Sequence, residues 1–276
     1  MDAPPPMLEM KDVHKSFGDQ HVLRGVNLSV PRETTYVMLG VSGSGKTEVL
    51  KHFIGLLSPD RGLVRVDGED VAHLSERGLE HLHRKIGVLY QSGALMDSMT
   101  VFENVALPLR EQLHLAGTEV DARVRRTLEL VDLRGIENEL PGELSGGMRK
   151  RVAFARAIVH QPKILVYDEP TAGLDPLTTE YVTEALLQGK NQLHMTALVI
   201  THDLTTAFQV ADRIGLLHEG QIVADAPPDE FRSSSHPAVA AFLKDWAERE
   251  AAARRVGAPP RDGHGVGLEA ADAMSS

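Results

Sequence analysis

The segment Gly40-Val41-Ser42-Gly43-Ser44-Gly45-Lys46-Thr47 constrains this chain more than any other. It follows an apolar, β-branched run (Thr34–Leu39) that suits a buried strand. It precedes a stretch in which Val49, Leu50, Phe53 and Ile54 fall on one helical face. Strand, glycine loop and helix are the context a phosphate-binding loop requires. The glycines let successive backbone N–H groups turn inward into an anion nest, and the helix N-terminus adds positive potential. Lys46 can reach the outer phosphates of a nucleotide and the Thr47 hydroxyl can ligate Mg²⁺. Glu48 stands where a small hydroxyl residue is frequent, adding a negative charge beside the phosphate ligands.

Downstream, Ile164-Leu165-Val166-Tyr167 is a second buried strand, and it delivers Asp168-Glu169 at its carboxyl end, where open α/β sheets bind ligands. Successive strand residues face opposite ways, so the two carboxylates are expected on opposite faces with separate tasks. Asp168 is then the partner of Mg²⁺ and Glu169 the base that polarises an attacking water. Between loop and acidic pair lies Leu144-Ser145-Gly146-Gly147-Met148. Ser145 can cap a helix there, and the glycines expose its first N–H groups, giving a second anion-binding helix start.

The remaining pattern predicts strands over Leu8–Val13, around Val26–Val30, over Leu63–Val66 and over Leu198–Thr201. A turn is expected at Asp67-Gly68 and a helix over Tyr181–Gln192. Residues 95–159 read as helical and more polar. The fold class is therefore α/β with a mostly parallel sheet interrupted by a helical insertion. Residues 1–7 read as a loose tail carrying Pro4, Pro5 and Pro6. Residues 8–246 form the folded part, and 247–276, rich in Ala, Gly, Arg and Pro, read as a frayed helix end followed by a disordered tail.

Taken together, the glycine loop, LSGGM, the Asp168-Glu169 strand, Gly173-Leu174-Asp175-Pro176 and Thr201-His202-Asp203 resemble, in content and order, the ATPases of ATP-binding-cassette (ABC) transporters. The resemblance covers about Leu8–Trp246. It implies a P-loop NTPase fold with a RecA-like core, an antiparallel β subdomain and a helical subdomain. It also implies a head-to-tail homodimer that hydrolyses ATP with Mg²⁺. By the same resemblance, Gly40–Thr47 bind ATP, while Ser145, Gly146, Gly147 and the D-loop Asp175 complete the site of the other copy. Phe17 stacks on adenine, Gln91 touches Mg²⁺ and senses the membrane partner, and His202 is the switch histidine. Met148 replaces the usual glutamine after the signature glycines, away from the phosphate-binding Ser145 and Gly147.

LSGGM followed by Arg149-Lys150-Arg151, with Gln91-Ser92-Gly93-Ala94-Leu95 and the string Thr100–Glu111, further resembles the ATPases of the Mla/Mce class of lipid transporters. Met96 departs from that class, which often has Phe there. This resemblance implies a cassette dimer under two copies of an integral membrane permease, with an MCE-domain protein across the membrane. The cargo is then a phospholipid or another hydrophobic molecule, and the cassette is peripheral on the cytoplasmic face of the inner membrane.

Composition agrees. A net charge of -10, from 29 basic and 39 acidic residues, disfavours broad contact with nucleic acid, as does the lack of heptads or a second cassette. No run approaches the roughly 20 apolar residues of a membrane span, and MDAPPPMLEM offers neither the basic start nor the apolar core of a secretory signal. With no cysteine, disulfides and thiolate chemistry are excluded. A cassette for a polar solute such as an amino acid is the alternative that the Gln91–Glu111 string argues against.

Overall fold

A computed structural model of the chain describes residues 4–90, 93–169, 183–184, 187 and 194–256. Two sheets organise the described part. The larger has six strands in the order β10-β9-β3-β8-β7-β6, drawn from β3 (Thr35–Leu39), β6 (Ile86–Leu89), β7 (Ile164–Asp168), β8 (Thr196–Ile200), β9 (Arg213–His218) and β10 (Gln221–Ala226). All neighbours run parallel except the β9–β10 hairpin. The smaller sheet is antiparallel, β2-β1-β4-β5, from β1 (Leu8–Phe17), β2 (Gln20–Val30), β4 (Arg61–Val66) and β5 (Glu69–Asp70).

The central strands are apolar on both faces because they separate two cores. In β3, Tyr36 and Met38 join the core shared with the antiparallel sheet, whereas Val37 and Leu39 join the core beneath the helical part. The same alternation runs through β7, with Ile164 and Val166 on the first side and Leu165 and Tyr167 on the second. Burial on both faces gives a continuous apolar run rather than an alternating one.

Helix α1 (Lys46–Phe53) follows β3 directly. Its residues Val49, Leu50 and Phe53, with Ile54, are at most 3% exposed, as their spacing predicts. Helix α2 (Glu76–Lys85) precedes β6. The helical part consists of α3 (Val101–Glu111), α4 (Thr118–Leu130) and α5 (Gly146–Ile158). The start of α3 is fixed by a reciprocal cap: Thr100 Oγ1 accepts from Glu103 N, and Glu103 Oε2 accepts from Thr100 N. Asn104, fully buried, then pins the preceding loop. Its Oδ1 accepts from Met96 N at 2.8 Å, and its Nδ2 donates to the carbonyls of Met96, Met99 and Thr100.

Strand β6 was not visible in the periodicity, because it is four residues long and contains Gly87. That glycine lets α5 close on the sheet; a Cβ there would collide with the Ala157 carbonyl. After α6 (Leu204–Val210) and α7 (Pro228–Arg232), the chain ends its described course in α8 (Pro237–Val256). This helix continues past residue 246, where the sequence pattern ends the folded part. The expected tail beyond 256 lies outside the described residues, as do most of the helix expected over Tyr181–Gln192 and the GLDP motif.

Candidate nucleotide site

The loop after β3 leaves the sheet at Gly40, and a Cβ there would press on the Leu217 carbonyl and Ser44 Oγ. Gly43 and Gly45 take φ of 78° and 102°, the left-handed conformations that turn backbone N–H groups inward; Gly45 is the N-cap of α1. Lys46, only 8% exposed, folds over the loop and donates to the carbonyls of Gly40 (2.8 Å) and Val41 (3.0 Å). Burial pushes its pKa down, opposed by the charges of Glu169, Asp168 and Glu48. Among the described residues, the buried Ser44 hydroxyl has no hydrogen-bond partner. A cradle with an unanswered hydroxyl and an ammonium resting on its own loop carbonyls fits a polyanion, to which both can turn.

Val41, Ser42, Gly43, Gly45, Lys46, Thr47, Glu48, Asp168, Glu169 and His202 line one cavity of about 1240 Å³. Sequence reasoning put Asp168 and Glu169 on opposite faces of a strand; the structure puts both carboxylates in this cavity. Strand β7 ends at Asp168, and Glu169 takes a left-handed φ of 51°, which cancels the alternation. Its N–H donates to the Ile200 carbonyl at 2.8 Å, fixing the turn. Asp168 is consequently a carboxylate in acidic company: burial raises its pKa, and Glu169 and Glu48 raise it further against the pull of Lys46 and Lys51. An excess of negative charge beside the Thr47 hydroxyl is a fitting seat for Mg²⁺, which prefers oxygen ligands and keeps much of its shell as water and phosphate oxygens.

Glu169 is the better oriented of the pair. Its Oε2 accepts from His202 Nδ1 at 2.9 Å and from His202 N at 3.3 Å. Thr201 and Asp203 build the turn that aims the histidine: Thr201 Oγ1 accepts from Asp203 N, and Asp203 caps α6 through Thr205 N and Thr206 N.

The other expected residues lie apart. Ser145 caps α5, its Oγ accepting from Met148 N at 3.2 Å, and Ser145 and Gly146 are exposed with Gly147 half-buried. None of the three lines the cavity of its own chain. Phe17 sits at the tip of the β1–β2 hairpin, 49% exposed and outside the cavity lining. Gln91 and Asp175 lie outside the described residues. Sequence reasoning missed α8, whose Phe242, Asp245, Trp246 and Arg249 wall the cavity. No motif signals these residues; only the packing of the helix puts them there.

Fold and site define a nucleotide-binding P-loop protein with a helical insertion. Residues 23–172 match the family model described as ABC transporter. The chain belongs to the ATP-binding subunits of ABC transporters and is an ABC ATPase. It is 40% identical over 236 residues to the probable ribonucleotide transport ATP-binding protein mkl of Mycobacterium leprae (strain TN), covering 86% of this chain and 68% of that protein. It is 35% identical over 242 residues to the intermembrane phospholipid transport system ATP-binding protein MlaF of Escherichia coli (strain K12), covering 88% and 90%. Among solved structures, the ATP-binding cassette MJ0796, a dimer in a post-hydrolysis state with ADP and Pi, is 32% identical with a TM-score of 0.74; the match covers 80% of this chain and 99% of that one.

Proposed function

We propose that this chain is the ATP-hydrolysing subunit of a membrane transporter that moves phospholipid or another hydrophobic molecule. The observation that carries the hydrolytic half is the cavity in which Lys46 and Thr47 face Asp168 and the Glu169–His202 pair. Lys46, the loop N–H groups and Ser44 hold the phosphates. Glu169, held by two hydrogen bonds from His202, takes the proton of the attacking water as general base. Thr47 and Asp168, with Gln91, hold Mg²⁺, which when bound neutralises charge on the transferring phosphoryl group. Phe17 receives the adenine. Ser145, exposed at the start of α5, and the half-buried Gly147 serve the site of a second copy, with Asp175 at the junction.

The lipid half rests on the relationship to MlaF over nearly its full length and on the Gln91–Glu111 string. In this reading the loop pinned by Asn104 and the start of α3 face an integral membrane permease, and an MCE-domain protein completes the assembly. Among the described residues no helix is long and apolar enough to cross a membrane, which fits a peripheral subunit at the cytoplasmic face. The name of the mycobacterial relative favours a second reading, transport of a polar solute. Affinity purification of the full chain from detergent-solubilised membranes, with mass spectrometry of protein and lipid, separates them. Recovery with a multi-span protein and enriched phospholipid is expected. Recovery with a multi-span protein but without enriched phospholipid favours the polar-solute reading, and recovery with ribosomes and no integral membrane protein overturns both.

A further inference from the structure

The hairpin tip that carries Phe17 is tied to the far end of the phosphate-binding helix by one carboxylate. Asp60, in the loop leading from α1 into β4, accepts from Lys15 Nζ through Oδ1 at 2.8 Å and from Ser16 N through Oδ2 at 2.7 Å. Its own N–H donates to the His14 carbonyl at 2.9 Å. Lys15 also donates to the Ser58 carbonyl at 2.9 Å, so its ammonium is held at both ends of a three-residue stretch. The same ammonium stands 5.7 Å from the centroid of the Phe17 ring, a cation–π contact that leaves about half of the ring exposed. The hydrogen bonds from Lys15 and Ser16 hold the Asp60 carboxyl below the usual carboxylate range. Beneath the clamp, His52 of α1 is fully buried, and its Nδ1 donates to the Glu48 carbonyl, so the helix body under Asp60 is fixed as well.

We infer that Asp60 is a positioning residue for the base end of the nucleotide site: through Lys15 and the Ser16 backbone it sets the Phe17 ring relative to α1, the helix whose first turn holds the phosphates. The geometry gives it three grips on consecutive residues, His14, Ser16 and Lys15, directly before the aromatic. A surface ion pair alone is worth little. Here the charge is combined with a backbone hydrogen bond and a ring contact, and what they fix is a tip with a glycine turn, Gly18 at φ 57°. The inference rests on the reading that Phe17 stacks on adenine.

The test compares ATP with tripolyphosphate, which engages the phosphate loop and has no base, as ligands of the full chain in calorimetric titrations. Asp60→Asn and Phe17→Ala are each expected to weaken ATP by about tenfold, the scale of one lost charge-assisted contact, and to leave tripolyphosphate unchanged. The double variant should be no weaker than either single one, because Asp60 acts through the ring. If Phe17→Ala binds ATP as the parent does, the base-stacking reading fails, and this inference with it. If Phe17→Ala is weakened and Asp60→Asn is not, or if Asp60→Asn weakens both ligands alike, only the clamp is overturned. Should Asp60→Asn not fold, Lys15→Gln, which keeps the Asp60–Ser16 bond, is expected to show a smaller loss confined to ATP; no loss overturns the inference.

Discussion

At Glu169 a single backbone angle decides which chemistry is within reach. With φ at 51° the residue leaves strand geometry, its carboxylate joins that of Asp168 in one cavity, and the His202 ring and N–H can both reach it. Glu169→Gln keeps size and hydrogen-bonding reach but cannot accept a proton. Turnover is therefore expected to fall by at least about a hundredfold with ATP affinity kept; a phosphate-release assay beside an equilibrium titration checks both, and activity within twofold of the parent refutes the assignment. Asp67 shows charge in a structural role. It accepts from Arg32 at 2.6 Å and lies 3.1 Å from Lys85, joining the antiparallel sheet to the base of the larger one. Burial alone would raise its pKa, but the bonds from Arg32 and Lys85 prevail, with Lys163 nearby, and the net shift is downward. A lowered folded pKa means stability that is present above the unfolded value, about 3.9, and lost as pH falls through the folded value. Asp67→Asn tolerates the same left-handed φ, 52°. It should cost about 1–3 kcal/mol at neutral pH, with the gap to the parent closing below about pH 4 in pH-dependent melting curves.

At the scale of elements, α1 and α8 bound the nucleotide cavity from opposite kinds of sequence. The α1 register is written in the glycine loop and the Val49, Leu50, Phe53 stripe. Helix α8 has no such marker, and Phe242 and Trp246 face the site because they pack on the core beside it. Trp246 is the single tryptophan of the chain, which turns the helix into a reporter. ATP binding is expected to change its emission intensity, saturating with occupancy. Lys46→Ala, which removes the proposed phosphate anchor, should abolish the response at the same ATP concentrations. An unresponsive Trp246 with ATP bound would show that Trp246 does not stand against the bound nucleotide.

At the scale of the whole molecule, the features that resemble one active site occupy two separate places in a single chain. The P-loop cavity holds Lys46, Asp168 and Glu169, and the exposed start of α5 holds Ser145 and Gly146. The proposed head-to-tail pair of chains would bring one to the other. Ser145→Arg adds bulk and charge at that exposed start and removes a helix cap, a loss of about 1 kcal/mol. In the Glu169→Gln background it should prevent an ATP-dependent dimer, with light scattering as the readout, while leaving ATP binding intact; a dimer that persists places the signature elsewhere. The strand–loop–helix at Gly40, the buried strands at β3, β7 and β8, the apolar face of α1 and the helical character of residues 95–159 were legible in the sequence, because local periodicity and glycine chemistry act over a few residues. The β6 strand, the shared cavity of Asp168 and Glu169, the Asp60 clamp and the wall made by α8 were not. Each depends on residues far apart in the chain meeting through packing, or on one backbone angle held by such a meeting. The amino-acid order alone carries a glycine loop between a buried strand and a helix, which is the chemistry of a phosphate cradle. Only the fold holds Glu169 oriented beside that loop, because its partners, His202 and the Ile200 carbonyl, come within hydrogen-bonding distance through packing.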